Sequence, residues 1–109
     1  MKDKQGRVTV NRMYTESGKL VHEDSNQDTI DLPLFEENAP VSTVSFDMNL
    51  TKNMGNYNSA KVGIICSVPC YTDEEEMSRA HQFCRNYVES RISKSVDEFV
   101  EYLKSKGVA

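Results

Sequence analysis

The chain has 109 residues, 38% apolar and 28% charged, with 13 basic and 17 acidic side chains for a net charge of −4. That is enough chain for one hydrophobic core without disulfide or metal staples. It carries too little positive charge for strong nonspecific duplex binding, whose affinity comes mostly from phosphate neutralisation.

No apolar run approaches the roughly 20 residues of a membrane-spanning helix. The N-terminal MKDKQGRVTV has basic residues but no apolar core, so it does not read as a secretory signal. A single domain is expected over residues 1–109, in the cytoplasm and away from membranes. Three cysteines, Cys66, Cys70 and Cys84, an odd number, fit reduced thiols.

In chain order, Arg7 to Tyr14 alternates Val8 and Val10 against Arg7, Thr9 and Asn11, which is strand-like. Glu16-Ser17-Gly18 is a turn signal, and Lys19 to Glu23 can pair back as a second strand. The polar run Asp24 to Asp28 reads as a loop. Thr29 to Phe35 then alternates Ile30, Leu32 and Leu34, with Pro33 marking an edge or an end. Glu36 to Pro40 reads as a connector. Val41 to Leu50 alternates most clearly, with Val44, Phe46, Met48 and Leu50 on one face and Thr43, Ser45, Asp47 and Asn49 on the other. Ala60 to Val68 repeats the pattern with Val62, Ile64, Cys66 and Val68. Strands with one apolar and one polar face predict an antiparallel sheet covered on one side.

Thr72-Asp73-Glu74-Glu75 fits a capping box with Thr72 as N-cap, and the acids of the first turn suit the helix dipole. Met77, Ala80, Cys84, Val88, Ile92, Val96, Phe99 and Leu103 recur at steps of three and four, widened by Tyr87 and Val100. Residues 72–106 therefore read as one long amphipathic helix, with a bend expected around Ser90 to Ser95. The fold class is α+β: a β-meander of about five strands over residues 1–71, with the helix across one face. At about 1.5 Å per residue the helix outruns a small sheet. Its end, with Val96, Phe99, Val100 and Leu103, is expected to overhang and to support a homodimer.

The pattern of residues carries little chemistry. Cys66, Cys70, His81 and Cys84 are the one group with metal-ligand character. Four residues of extended strand separate two of them by roughly 13 Å, too far for one tetrahedral ion. Small core cysteines are the simpler reading, with no cofactor. His22 and His81 stand in no nucleophile–base motif, and the glycines are scattered singly, so no enzyme is expected.

The loop Thr51 to Ser59 is the most functional-looking piece. Residues 48–72 contain no acid, whereas residues 20–50 carry seven (Glu23, Asp24, Asp28, Asp31, Glu36, Glu37 and Asp47) and no Lys or Arg. Lys52 and Lys61 suit phosphates, Asn56 suits hydrogen bonding and Tyr57 suits base stacking, the mix that single-stranded nucleic acid needs. The polar sheet face would extend the site. The bland alternative is a turn at Gly55-Asn56 with Tyr57 folded back on the sheet.

The segment NMGNYNSAKVGIICSVPCYTDEE, residues 53–75, resembles a group of small phage and mobile-element proteins. These carry an Asn-x-Gly-Asn-Tyr-x-Ser loop, a strand ending in Val-Pro-Cys, and then a helix. The matching residues are Asn53, Gly55, Asn56, Tyr57, Ser59, Val68, Pro69 and Cys70. The resemblance implies a phage-type accessory protein. Single-stranded nucleic acid is the leading expected partner. The alternative is a host protein bound by an acidic interaction module of the anti-defence or anti-CRISPR type.

Overall fold

Alternation organises the sheet. In the computed structural model, which describes residues 5–32 and 39–107, four strands and one helix follow in chain order. They are β1 (Gly6–Glu16), β2 (Lys19–Ile30), β3 (Val41–Gly55), β4 (Asn58–Tyr71) and α1 (Glu74–Ser105). The architecture is α+β, as the sequence predicts, with four described strands rather than about five. The strand order is β2-β1-β4-β3, antiparallel throughout. This is not a meander: two hairpins pair through β1 and β4, which leaves β2 and β3 as edges.

The missing strand is absorbed into β2. Asp24 to Asp28, expected to be a loop, continues β2 and pairs with β1, from Arg12↔Asp24 to Val8↔Asp28. Every residue but proline offers a backbone N–H and C=O, so a polar run without proline can join a ladder without an apolar pattern. Ile30 and Leu32 pack against the core as expected, while Pro33, Leu34 and Phe35 lie outside the described residues.

The core forms where one face of β4 meets the helix. Ala60, Val62, Ile64, Cys66, Val68 and Cys70 are all buried, as are Ala80, Cys84, Val88, Ile92, Val96, Phe99, Val100 and Leu103 of α1. Met77 and Tyr87 border the same cluster. The helix runs uninterrupted through Ser90 to Ser95. Its 32 residues span about 48 Å at 1.5 Å each, which fits a molecule 55 Å long. Strands of up to 15 residues are long enough to lie under all of it. The expected overhang is therefore absent: Val96, Phe99, Val100 and Leu103 are spent on the sheet, with Phe99 at 0% exposure. The ground for a dimer through the helix goes with it. Asp73, not Thr72, is the N-cap; its carboxylate accepts from the Glu75 N–H at 3.3 Å. Thr72 instead hydrogen-bonds Ser42 of β3 through its hydroxyl, at 2.7 Å.

The helix passes from β3 at its first half to the first hairpin at its last turns. Its first half lies over β3, where the Cys84 thiol donates to the Val44 carbonyl at 3.8 Å and His81 meets the Phe46 ring. Its last turns reach the first hairpin. There the Arg12 guanidinium lies 5.0 Å from the ring centroids of both Phe99 and Tyr102. Arg12 also donates twice to Asp24, at 2.7 and 2.6 Å, and His22 shares the same carboxylate at 2.6 Å. This cluster ties edge strand β2 to the helix terminus. Arg12 holds the Asp24 carboxyl below its ordinary pKa, chiefly through these hydrogen bonds.

A carboxyl with a lowered folded pKa stabilises the fold fully above the ordinary carboxylate range. That contribution disappears as pH falls through the folded value. Asp24→Asn is expected to lower stability at neutral pH by about 1 kcal/mol, discounted for partial exposure. The gap between wild-type and variant melting temperatures should then shrink as pH falls from 5 towards 2, followed by circular dichroism.

Candidate functional site

The face of the sheet away from the helix is lined by small polar side chains. Across β2, β1, β4 and β3 its rows read Thr29–Arg7–Ser67–Ser45, Gln27–Thr9–Ile65–Asp47, Ser25–Asn11–Gly63–Asn49 and Glu23–Met13–Lys61–Thr51. Side chains bond across the strands, Ser45 to Ser67 at 2.9 Å and Thr15 with Ser59 at 2.8 Å. Mid-face, Lys61 borders a depression of about 370 Å³ with Asn11, Met13, Glu23, Asn49 and Gly63. The Asn49 side chain lies over Gly63, and a Cβ there would make it shift. Arg7 and Lys61 are offset on this face by Glu23 and Asp47, so the middle of the open sheet is not basic.

The expected long loop is not a loop. β3 and β4 run on to Gly55 and Asn58, joined by a two-residue turn at Asn56 and Tyr57. Both turn residues have positive φ, 54° and 63°, the conformation that matches strand twist in a tight hairpin. One extra residue, Met54, bulges from β3 just before the turn, and the Asn53 side chain accepts from the Gly55 N–H at 2.9 Å. Asn tolerates the left-handed region, and position 56 is satisfied on that ground alone. Tyr57 is different. A bulky side chain at φ 63° is strained, and this one is 90% exposed rather than folded back on the sheet. Nothing in the core requires it.

The first hairpin ends beside it. Ser17 and Gly18, also at positive φ, form its turn, and the Ser17 N–H donates to the Tyr57 carbonyl at 3.1 Å. Between the two tips lies an open cavity of about 530 Å³, lined by Ser17, Gly18, Thr51, Asn53, Tyr57, Asn58 and Ser59. No acid lines it.

The four residues expected to act together divide. Tyr57 and Asn56 form the tip. Lys61 lies on the open face two residues beyond Ser59, about 7 Å along β4. Lys52 pairs with Ala60, whose side chain is buried under the helix, so Lys52 belongs to the opposite face. It cannot share a groove with Lys61. The bulge at Met54 decides this: without that extra residue a two-residue turn at Asn56 and Tyr57 would set Lys52 directly opposite Lys61, and with it Thr51 takes that place. Ser17 and Gly18 are lining residues that sequence reasoning missed. Their turn was legible, but its place beside Tyr57 was not.

The cysteine cluster is partly real. Cys66 and Cys84 are both fully buried and neighbour one another across the helix–sheet interface. His81 instead turns its ring to Phe46, with centroids 5.8 Å apart. Among the described residues no three such side chains converge in a way that could hold a metal ion. Burial raises all three thiol pKa values and, with the neighbouring Cys66 thiol, pushes Cys84 up to about 12. These are inert core thiols.

The chain matches no family model, and no curated protein and no solved structure is significantly similar to it. No described helix is long and apolar enough to cross a membrane.

All three cysteines are expected to resist a water-soluble thiol reagent at pH 8 and to react together in denaturant. Rapid labelling of one thiol in the native protein would contradict their place in the core.

Proposed function

We propose that the protein is a phage-type accessory protein that binds single-stranded nucleic acid at the double-hairpin tip and along the adjoining open sheet face. Tyr57 stacks on a base. Asn53, Asn58, Thr51 and Ser59 offer hydrogen bonds around the cavity, and Lys61 meets a phosphate. The observation that carries this reading is Tyr57 itself: an aromatic ring that is 90% exposed and held at a strained φ of 63°. Backbone strain in a bulky residue persists where something other than folding selects it. An exposed ring at an acid-free cavity suits sequence-tolerant stacking, on the order of 1–3 kcal/mol per base. With two basic and two acidic residues on the open face, phosphate contacts are few. Binding is accordingly modest and only weakly salt-dependent.

A second reading has its own observation. Glu23, Asp28 and Asp31 are exposed on or just beyond edge strand β2, and Asp24 stands among them half-buried, a run of acids suited to a basic groove on a host protein.

Tyr57→Gly separates function from folding. Glycine takes a positive φ without strain, so the variant is expected to be more stable by on the order of 1 kcal/mol, a rise of about 4 °C in melting temperature. The same variant should bind labelled single-stranded DNA at least tenfold more weakly, measured by fluorescence anisotropy. Undiminished binding by Tyr57→Gly would sink the stacking role, and no binding by the wild type at low salt would sink the reading. Lys61→Ala should lower the slope of log affinity against log salt by about 1, and Lys52→Ala should leave it unchanged.

A further inference from the structure

The two edges of the sheet differ. β2 carries Glu23, Asp24 and Asp28 within 12 residues and bulges at Val21, where the register shifts between Tyr14↔His22 and Thr15↔Leu20. Charge and bulges are how sheets guard an edge against pairing. β3 has neither defence along most of its length. Its 15 residues contain one acid, Asp47, one base, Lys52, and no proline, and its bulge comes only at Met54, beside the turn. Among the described residues no strand covers its outer side. About 50 Å of regular backbone donors and acceptors is left unpaired.

We infer that two copies of the chain associate through β3, edge to edge and antiparallel, to make one continuous eight-stranded sheet. The chemistry of the strand favours a second copy. Asp47 and Lys52 cancel, so two chains of net charge −4 meet at a neutral seam. A two-fold axis normal to the sheet keeps both helices on one side and both open faces on the other. Only residues of like parity then oppose one another. Centring the pair on Met48 or on Asn49 sets Asp47 opposite Asn49 or Thr51, with no like charges facing. It also brings Met48 and Leu50 of the two copies together on the helix side, where Leu50 is 41% exposed in the single chain. Apolar cross-strand pairs of this kind stabilise a sheet. The inference does not depend on nucleic-acid binding. In the dimer the two open faces become one surface, with a Tyr57 tip at each end.

The test is solution mass by light scattering on a size-exclusion column, from low to high micromolar. The wild type is expected at twice the 12.4 kDa chain mass. Asp47→Lys/Asn49→Lys sets ammonium groups against each other in either register and should run at the single-chain mass with its circular dichroism spectrum intact. Ser25→Lys/Gln27→Lys, on the β2 edge, should remain dimeric. A wild type at single-chain mass throughout, a folded Asp47→Lys/Asn49→Lys dimer, or dissociation by the β2 pair instead would each overturn the inference. Should Asp47→Lys/Asn49→Lys not fold, Thr43→Lys/Ser45→Lys/Asn53→Lys sets ammonium groups against each other in the same two registers without facing Asp47, and is read in the same way.

Discussion

The burial of one face of β4 under α1 is the constraint on which the rest depends. Six alternate residues, Ala60 to Cys70, disappear beneath a helical stripe that runs from Ala80 to Leu103. Each large side chain so buried contributes roughly 1.5–3 kcal/mol. A slip of one residue would turn the whole row to solvent, so the register of β4 is strongly fixed. Since β1 and β3 pair with β4 on either side, their faces are fixed with it. The open face is polar for the same reason: apolar content is concentrated on the side that the helix covers.

One helix cannot cover four twisted strands. Its oblique course leaves β2 held mainly by backbone pairing and by the cluster of Arg12, Asp24 and His22 against Phe99 and Tyr102. A guanidinium that stacks on two rings while bonding one carboxylate anchors the strand without an apolar pattern. The middle of the strand can therefore be polar, which is why Asp24 to Asp28 does not look like a strand. At the far end the two hairpin turns support one another through the bond from Ser17 to Tyr57. That leaves a tip which is ordered yet free of core duties, where a strained aromatic can be carried at little cost to the whole.

Much of the fold was legible in the sequence. The helical stripe was, because a period of 3.6 over thirty residues has no competing explanation, and so were the faces of Val44 to Leu50 and Ala60 to Val68. The N-cap was misplaced by one residue, since Thr72 and Asp73 are both good caps and only the contact of Thr72 with Ser42 separates them. The segment from Thr51 to Ser59 does not look like two strand ends because Asn, Gly and Lys are poor strand formers. They pair here because β4 continues opposite them.

Of the candidate site, Tyr57 was legible as an aromatic among acid-free polar residues. It could not show that Lys52 and Lys61 point to opposite faces, or that Ser17 sits beside Tyr57. The sequence by itself determined the local periods, the turns and the composition of each strand, because these follow from residues within a few positions of one another. Only the tertiary structure decided which strands are neighbours, which edge is bare and which side chains share a face. Those depend on backbone pairings between distant segments, and the backbone groups that make them are the same in every residue.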